Sequence, residues 1–265
     1  MKDKDSLREA MKYSDVVYNL TGSHLESKNF SFTDIHATAA ESVAEVASEL
    51  GVKRLIQMSC VSADASSPSK FLQSRADGEQ RVRAAFPDAT IVRTSDVFGP
   101  EDRLFRKWQM RKMLPGGIPI ANKDAVKWPV YSHDVGRGLA NLVEDPHAVG
   151  NTYEFVGPEA WRLENLLKYM LRVTKEEVNV YELNQKYFQM LAGLIEKYPL
   201  HEPFLNKDEV IRESLSDVLE GHPGLIDVEV EPTPLGKVAI SFLRTYRRHA
   251  VFDDVITTAE LRGAV

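Results

Sequence analysis

Glycines that cradle phosphate, histidines that carry protons or metals, and reactive cysteines are the residues whose spacing reports chemistry most directly. The chain has 15 glycines. None forms G-x-G-x-x-G or G-x-x-G-x-x-G, the turns that let a backbone approach a pyrophosphate at a helix N-terminus. Gly136 and Gly138 come nearest, but Asn141 takes the last position and the pair lies inside a helical stretch. There is no P-loop and no G-x-S-x-G nucleophile turn. None of the 7 histidines has a second one four residues on, so no helix face carries two imidazoles for a metal. His133 beside Asp134 has the composition of a polarised base, although a loop histidine next to a helix cap is the simpler reading. The single cysteine, Cys60, allows neither an internal disulfide nor a cysteine-rich metal site.

The elements that must position such groups follow a regular rhythm. Ser6-Leu7-Arg8-Glu9 reads as a capping box, and Leu7, Ala10 and Met11 give a short apolar face. Asp15–Leu20 is a compact apolar run ended by Thr21-Gly22, as expected of a buried strand. The spacing of Ile35, Ala39, Val43, Val46, Ala47 and Leu50 predicts a helix over 35–50. A strand at 53–59, a helix at 70–85 and a strand at 89–94 follow. Alternating helices and strands with short turns predict an open parallel α/β sheet. Beyond Gly99-Pro100 the pattern loosens. A basic helix is expected over 101–114, a short strand at Val130-Tyr131, a helix capped by Asp134, and a strand over Thr152–Val156. The remainder is mostly helical, with a strand at 178–183 and a helix opened by Thr233-Pro234. Leu235, Val238, Ala239, Phe242, Leu243 and Tyr246 form its apolar stripe, beside Arg244, Arg247, Arg248 and His249.

Composition narrows the function class. The 265 residues carry a net charge of −6, with 43% apolar and 27% charged residues. That is an ordinary globular balance, and a net acidic chain lacks the concentrated basic surface of a nonspecific nucleic-acid binder. No apolar run approaches the ~18 residues of a membrane span. The opening Met1-Lys2-Asp3-Lys4-Asp5 is neither a secretory signal nor a transit peptide.

Several phrases resemble the extended short-chain dehydrogenase/reductase superfamily. Asp15–Gly22 is similar to its fourth strand and Gly51–Ser59 to its fifth. Asp96–Arg103 resembles the turn after the sixth strand, and Pro129–Val135 a later strand followed by a helix. More narrowly, Lys28-Asn29-Phe30, Val82–Pro87, Ser95–Gly99, Phe155–Pro158 and Pro232–Leu235 resemble the subunit 9 family of the alpha subcomplex of mitochondrial NADH dehydrogenase (ubiquinone), the respiratory complex I. The likeness runs from about residue 5 to about residue 255.

That resemblance implies an α/β fold: an NAD(P)-binding, Rossmann-like doubly wound parallel sheet lacking its first strands, over residues 1–157. A smaller, mostly helical C-terminal lobe would take 158–265. Where the superfamily uses Tyr-x-x-x-Lys, with the lysine holding the ribose and the tyrosine passing a proton, this chain has Phe71-Leu72-Gln73-Ser74-Arg75. None of the 9 tyrosines has a lysine four residues on. No catalytic residue is therefore expected. The resemblance places the cofactor-binding positions at Thr21, Gly22, Ser59, Arg75, Thr94 and Ser95. It implies NADPH as a structural ligand of the intact family, held weakly or not at all without the glycine turn. It also implies a non-catalytic accessory subunit on the matrix side of the inner mitochondrial membrane, near the quinone region. Other complex I subunits would be its partners, with anionic lipid headgroups at the basic end of the last helix. Two other readings stay open: an active NADPH-dependent reductase or epimerase, and a nucleotide-free protein-binding module.

Overall fold

A computed structural model of the chain describes residues 3–100, 102–197 and 203–247. In chain order its strands are β1 (Val16–Asn19), β2 (Arg54–Cys60), β3 (Thr90–Thr94), β4 (Val97–Phe98), β5 (Ile118–Ile120), β6 (Val126–Lys127), β7 (Val130–Tyr131), β8 (Thr152–Phe155), β9 (Trp161–Arg162) and β10 (Val180–Glu182). The helices are α1 (Lys4–Met11), α2 (Ala39–Glu49), α3 (Lys70–Ala85), α4 (Leu104–Arg111), α5 (Ser132–Glu144), α6 (Leu163–Thr174), α7 (Gln185–Lys197), α8 (Lys207–Ser214) and α9 (Leu235–Leu243). A wide π turn, Asp34–Thr38, leads into α2.

These elements form two compact units that interleave along the chain. One comprises residues 1–94, 135–155 and 218–231, the other 95–134, 156–217 and 232–265. A single linear boundary at 157 therefore does not describe them. The chain passes from one unit to the other several times, because segments far apart in sequence complete each core.

The first unit holds a parallel sheet in the order β1-β2-β3-β8. Leu55, Ile56, Ile91 and Val92 are buried, as expected where helices cover both faces of a parallel sheet. Met11 from α1, Val43, Val46 and Ala47 from α2, and Val82 from α3 join Leu55 and Ile91 in one core cluster. Arg54 on β2 donates to the carbonyls of Leu142 and Val143 at 3.0 and 3.1 Å, satisfying the open C-terminal end of α5. Among the described residues, β1 has a neighbour on one side only.

The second unit is built on paired short strands: β5 with β10 and β4 with β7, both parallel, and β6 with β9, antiparallel. Its core gathers Phe98, Trp108, Ile118, Leu166, Met170 and Phe242. The apolar stripe of α9 is part of that core, with Leu235, Ala239, Phe242 and Leu243 buried, so its own unit covers it. A smaller cluster joins α7 to α8 through Phe188, Ala192, Leu205 and Val210.

Three helix starts differ from the sequence reading. Asp3, not Ser6, caps α1: its carboxylate accepts from the Asp5 N–H at 3.0 Å and from the Ser6 hydroxyl at 2.6 Å. An acceptor-only carboxylate leaves the serine hydroxyl as donor. Asp134 lies inside the first turn of α5 and accepts from the Thr233 N–H at 2.6 Å and its hydroxyl at 3.2 Å. Thr233 is thus engaged elsewhere, and Pro234 stands at the cap position of α9 with no side-chain cap bond.

Candidate functional site

Parallel strands bring their carboxyl ends to one side of the sheet, the side on which open α/β sheets hold ligands. In the first unit Thr21 and Gly22 follow β1, Ser59 lies near the end of β2, Thr94 ends β3, and Arg75 is on α3. Ser95 belongs to the second unit, where its hydroxyl donates to the Trp128 carbonyl.

A buried polar ladder fixes the strand ends. The Asn19 amide donates to the Gln57 Oε1 at 2.7 Å, and the Gln57 amide donates to the Met58 carbonyl at 2.9 Å. Asn19 Oδ1 then accepts the Thr21 N–H at 3.2 Å. The Arg75 guanidinium reaches across from α3, and its Nη1 donates to the Met58 carbonyl at 3.2 Å. Its other arm lies against Gly22, where a Cβ would stand 2.4 Å from Nη2. Gly22 and Arg75 are therefore brought together, and the space the glycine leaves is filled by the guanidinium. Thr94 donates weakly to the Ser59 carbonyl at 3.5 Å. The Ser59 hydroxyl is buried and has no hydrogen-bond partner.

Phe71, where the resemblance implies a tyrosine, is sealed. It is 4% exposed. His24 stacks on it at 5.6 Å, the edges of Phe32 and His36 approach at 5.6 and 4.9 Å, and the Arg75 guanidinium lies 5.3 Å from its ring centre. His36 is fixed at both nitrogens. The Ser23 N–H donates to Nε2 at 3.1 Å, and Nδ1 lies 2.9 Å from the Ser74 hydroxyl, which itself donates to the Phe71 carbonyl at 2.7 Å. A backbone N–H can only donate, so Nε2 is the proton-free nitrogen and Nδ1 carries the hydrogen. The π turn that presents His36 packs tightly on α3, where a Cβ on Gly78 would stand 2.1 Å from the His36 carbonyl oxygen.

The sequence reading did not single out His24, Phe32 or His36. They meet through the conformation of the 20–31 loop and the helical turn that follows it, and no short spacing marks them. His133 belongs to the second unit, where it stacks on Tyr131 at 4.9 Å.

Among the described residues, two tyrosines of the sheet, Tyr18 and Tyr153, have their phenols held protonated. Tyr18 donates to the Leu139 carbonyl at 3.3 Å, and burial pushes its phenol above the ordinary range. Burial, with Asp145 as acceptor at 3.0 Å, pushes Tyr153 up to about 12. A proton-transferring tyrosine needs the opposite shift. The described residues also contain no cluster of His, Cys, Asp or Glu able to hold a metal. No helix among them is long and apolar enough to cross a membrane. As placed, the strand-end residues leave no room for a phosphate at Gly22 without movement of the Arg75 side chain. The cradle at Gly22 is taken by Arg75, and one buried hydroxyl, Ser59, is left open.

No family model matches the chain. It is 39% identical over 250 residues to the mouse NADH dehydrogenase [ubiquinone] 1 alpha subcomplex subunit 9, mitochondrial, an alignment covering 94% of this chain and 66% of that protein. It is 32% identical over 255 residues to the Neurospora crassa NADH-ubiquinone oxidoreductase 40 kDa subunit, mitochondrial, covering 96% of this chain and 67% of that one. Among solved structures, the Escherichia coli NADPH-dependent quinone oxidoreductase complexed with NADPH superposes with a TM-score of 0.68 at 19% identity. That match covers 91% of this chain and 80% of the other, and shares the Rossmann-like fold. The parallel sheet and the two long alignments lead to one assignment: the chain belongs to the family of the mitochondrial NADH dehydrogenase (ubiquinone) alpha subcomplex subunit 9 and 40 kDa subunit proteins.

Proposed function

We propose that the chain acts as a non-catalytic accessory subunit of mitochondrial NADH:ubiquinone oxidoreductase, supporting assembly or stability of its matrix arm near the quinone region. The observation that carries this reading is the enclosure of Phe71. A ring without a dissociable proton is walled in by His24, Phe32, His36 and Arg75. General acid–base assistance contributes roughly 10²–10⁴-fold, and at this position the chain has no group to supply it. The names of the relatives support the mitochondrial setting and complex I subunits as partners. On this reading NADPH binds weakly or not at all, because Arg75 fills the cradle at Gly22.

The expected anionic contact at the end of α9 is narrower than the sequence suggested. Its apolar stripe is turned inward, and Arg247 donates to the Val173 carbonyl at 2.8 Å. Arg244 is exposed and remains the candidate for lipid headgroups, while Arg248 and His249 lie outside the described residues.

The test is expression of the tagged chain in cells lacking their own relative, followed by native gel separation. The chain is expected to migrate with the complex. Purified, it is expected to show no NADPH consumption above buffer with ketone or sugar-nucleotide substrates. Turnover in that assay would overturn the reading in favour of an active reductase.

A further inference from the structure

We infer that the outward face of α7 is a docking surface for an amphipathic helix of another protein subunit, apolar along its ridge and acidic along one edge. The existence of partner subunits rests on the accessory-subunit reading; the surface and its chemistry come from α7 itself.

α7 is apolar on two faces. One face carries Phe188 and Ala192, buried against Leu205 and Val210 of the α8 side. The other carries Tyr187, Met190 and Leu194, which are 64%, 62% and 66% exposed. Their spacing of i, i+3 and i+7 places them in one ridge, roughly 10 Å long at 1.5 Å per residue. Single exposed apolar residues are ordinary, but an aligned ridge signals an interaction.

One edge of the ridge is cationic. Lys186 and Lys197 are eleven positions apart in sequence, close to three helical turns, so they stand on the same edge. Gly193 lies between them on that edge. The stem of Lys207 runs across it, with its Cε 2.3 Å from where a Cβ would stand. All three lysines are exposed, and none makes an ion pair with another described residue. The opposite edge carries Leu191 and Ile195, half-buried in the α7–α8 cluster.

This asymmetry selects the occupant. A helix lying on a bilayer pairs its apolar face with a broad polar face bearing the cations. Here the far face is protein core and the cations line one side alone. A partner helix with its own i, i+3, i+7 ridge and carboxylates along one edge matches both features and docks in one orientation.

The probes are two synthetic stapled helices with leucine at i, i+3 and i+7, one edged with glutamate and one with lysine, titrated against the full 265-residue chain. The glutamate-edged helix is expected to bind at least tenfold more tightly than the lysine-edged one. Lys186→Glu with Lys197→Glu is expected to reverse that preference, and Met190→Glu to abolish binding of both while leaving the circular dichroism spectrum unchanged. Equal binding of the two helices, no change on charge reversal, or Met190-dependent binding to phosphatidylglycerol vesicles in place of the helices overturns the docking surface. Entry into the complex on a native gel tests the accessory-subunit reading separately. Entry without peptide selectivity removes only the docking surface, and selectivity without entry removes only that reading.

Discussion

Gly78→Ala should destabilise the first unit, although alanine is the better helix former. In an exposed helix interior the exchange normally gains about 1 kcal/mol. At this position a Cβ would stand 2.1 Å from the His36 carbonyl oxygen, 3.0 Å from its carbon and 3.5 Å from the Ala37 Cα. These are backbone atoms of the π turn and cannot rotate away. An ordinary carbon–oxygen contact needs more than an additional ångström, so α3 and the turn must separate. Overpacking of this kind costs about 1–3 kcal/mol, and separation also stretches the His36–Ser74 bond of 2.9 Å. The expected net loss is about 2 kcal/mol, a fall of roughly 4–8 °C in midpoint for a chain of this size. Gly136→Ala is the matched control. It is also helical, but nothing lies within 4 Å of its Cβ position, and it should gain about 0.5–1 kcal/mol. Thermal melts of the two variants beside the parent should move in opposite directions. Equal shifts, or a Gly78→Ala midpoint at or above the parent's, would show that α3 does not depend on this close approach.

The buried Glu209 predicts an acid-sensitive second unit. Burial pushes its carboxyl up, but Lys107, Arg111, Arg103 and Arg212 outweigh that and hold it at about 2, against the ordinary 4.5. A lowered folded-state value means the contribution, about 3 kcal/mol, is present above pH 4.5 and lost as pH falls towards 2. Glu209→Gln should therefore flatten the stability profile across that window, as read by urea midpoints. Replacing the buried Asp134 with alanine leaves the Thr233 N–H without its acceptor and should cost about 1–3 kcal/mol, against little change for Thr233→Ser. Phe71→Tyr with Arg75→Lys is expected not to create NADPH turnover, since the enclosing His24 and Phe32 remain; turnover in the double variant would show that two side chains alone account for the lost chemistry. β1 ends the described sheet order and Leu20, just after it, is 61% exposed, so the isolated chain should self-associate, and Leu20→Lys should lower its light scattering.

The sheet was legible because its strands are short apolar runs between turn residues. β2 and β3 lie within one residue of the expected 53–59 and 89–94, and α3 matches 70–85. The π turn was not visible, since the apolar spacing over 35–50 runs through it unbroken. The basic helix expected at 101–114 showed its charges but not their burial. Arg111 is fully buried and donates to both oxygens of Glu213 at 2.8 and 2.9 Å, a pairing across about a hundred residues that only the folded chain reveals. On α3, Phe71 where the resemblance implies a tyrosine was readable from one position. The enclosure around it was not, because His24 and His36 come from a loop and a π turn whose conformations leave no periodic trace.

On the accessory-subunit reading proposed above, that enclosure bears on how a catalytic fold becomes a structural one. Losing a proton donor by substitution alone leaves a cavity, and a cavity in a core costs stability in proportion to its volume. Here the position holds a ring of nearly the same volume, lacking only the hydroxyl. Two of its neighbours are polar side chains that hydrogen-bond within the fold, His36 and Arg75. His36 is fixed between Ser23 and Ser74, and Ser74 reaches the Phe71 carbonyl. The Arg75 guanidinium, which on a working site would face a ribose, bonds the Met58 carbonyl and fills the space at Gly22. Ser74 and the Nη1 of Arg75 therefore serve the fold. On the β2 side, Ser59 keeps a buried hydroxyl with no partner, which costs about 1–3 kcal/mol. On that reading the helix side of the cleft serves packing, while the strand side keeps one buried hydroxyl without a partner. On that reading, rigidity at this end of the sheet is the property the enclosure favours, and it is the property a scaffold subunit would use.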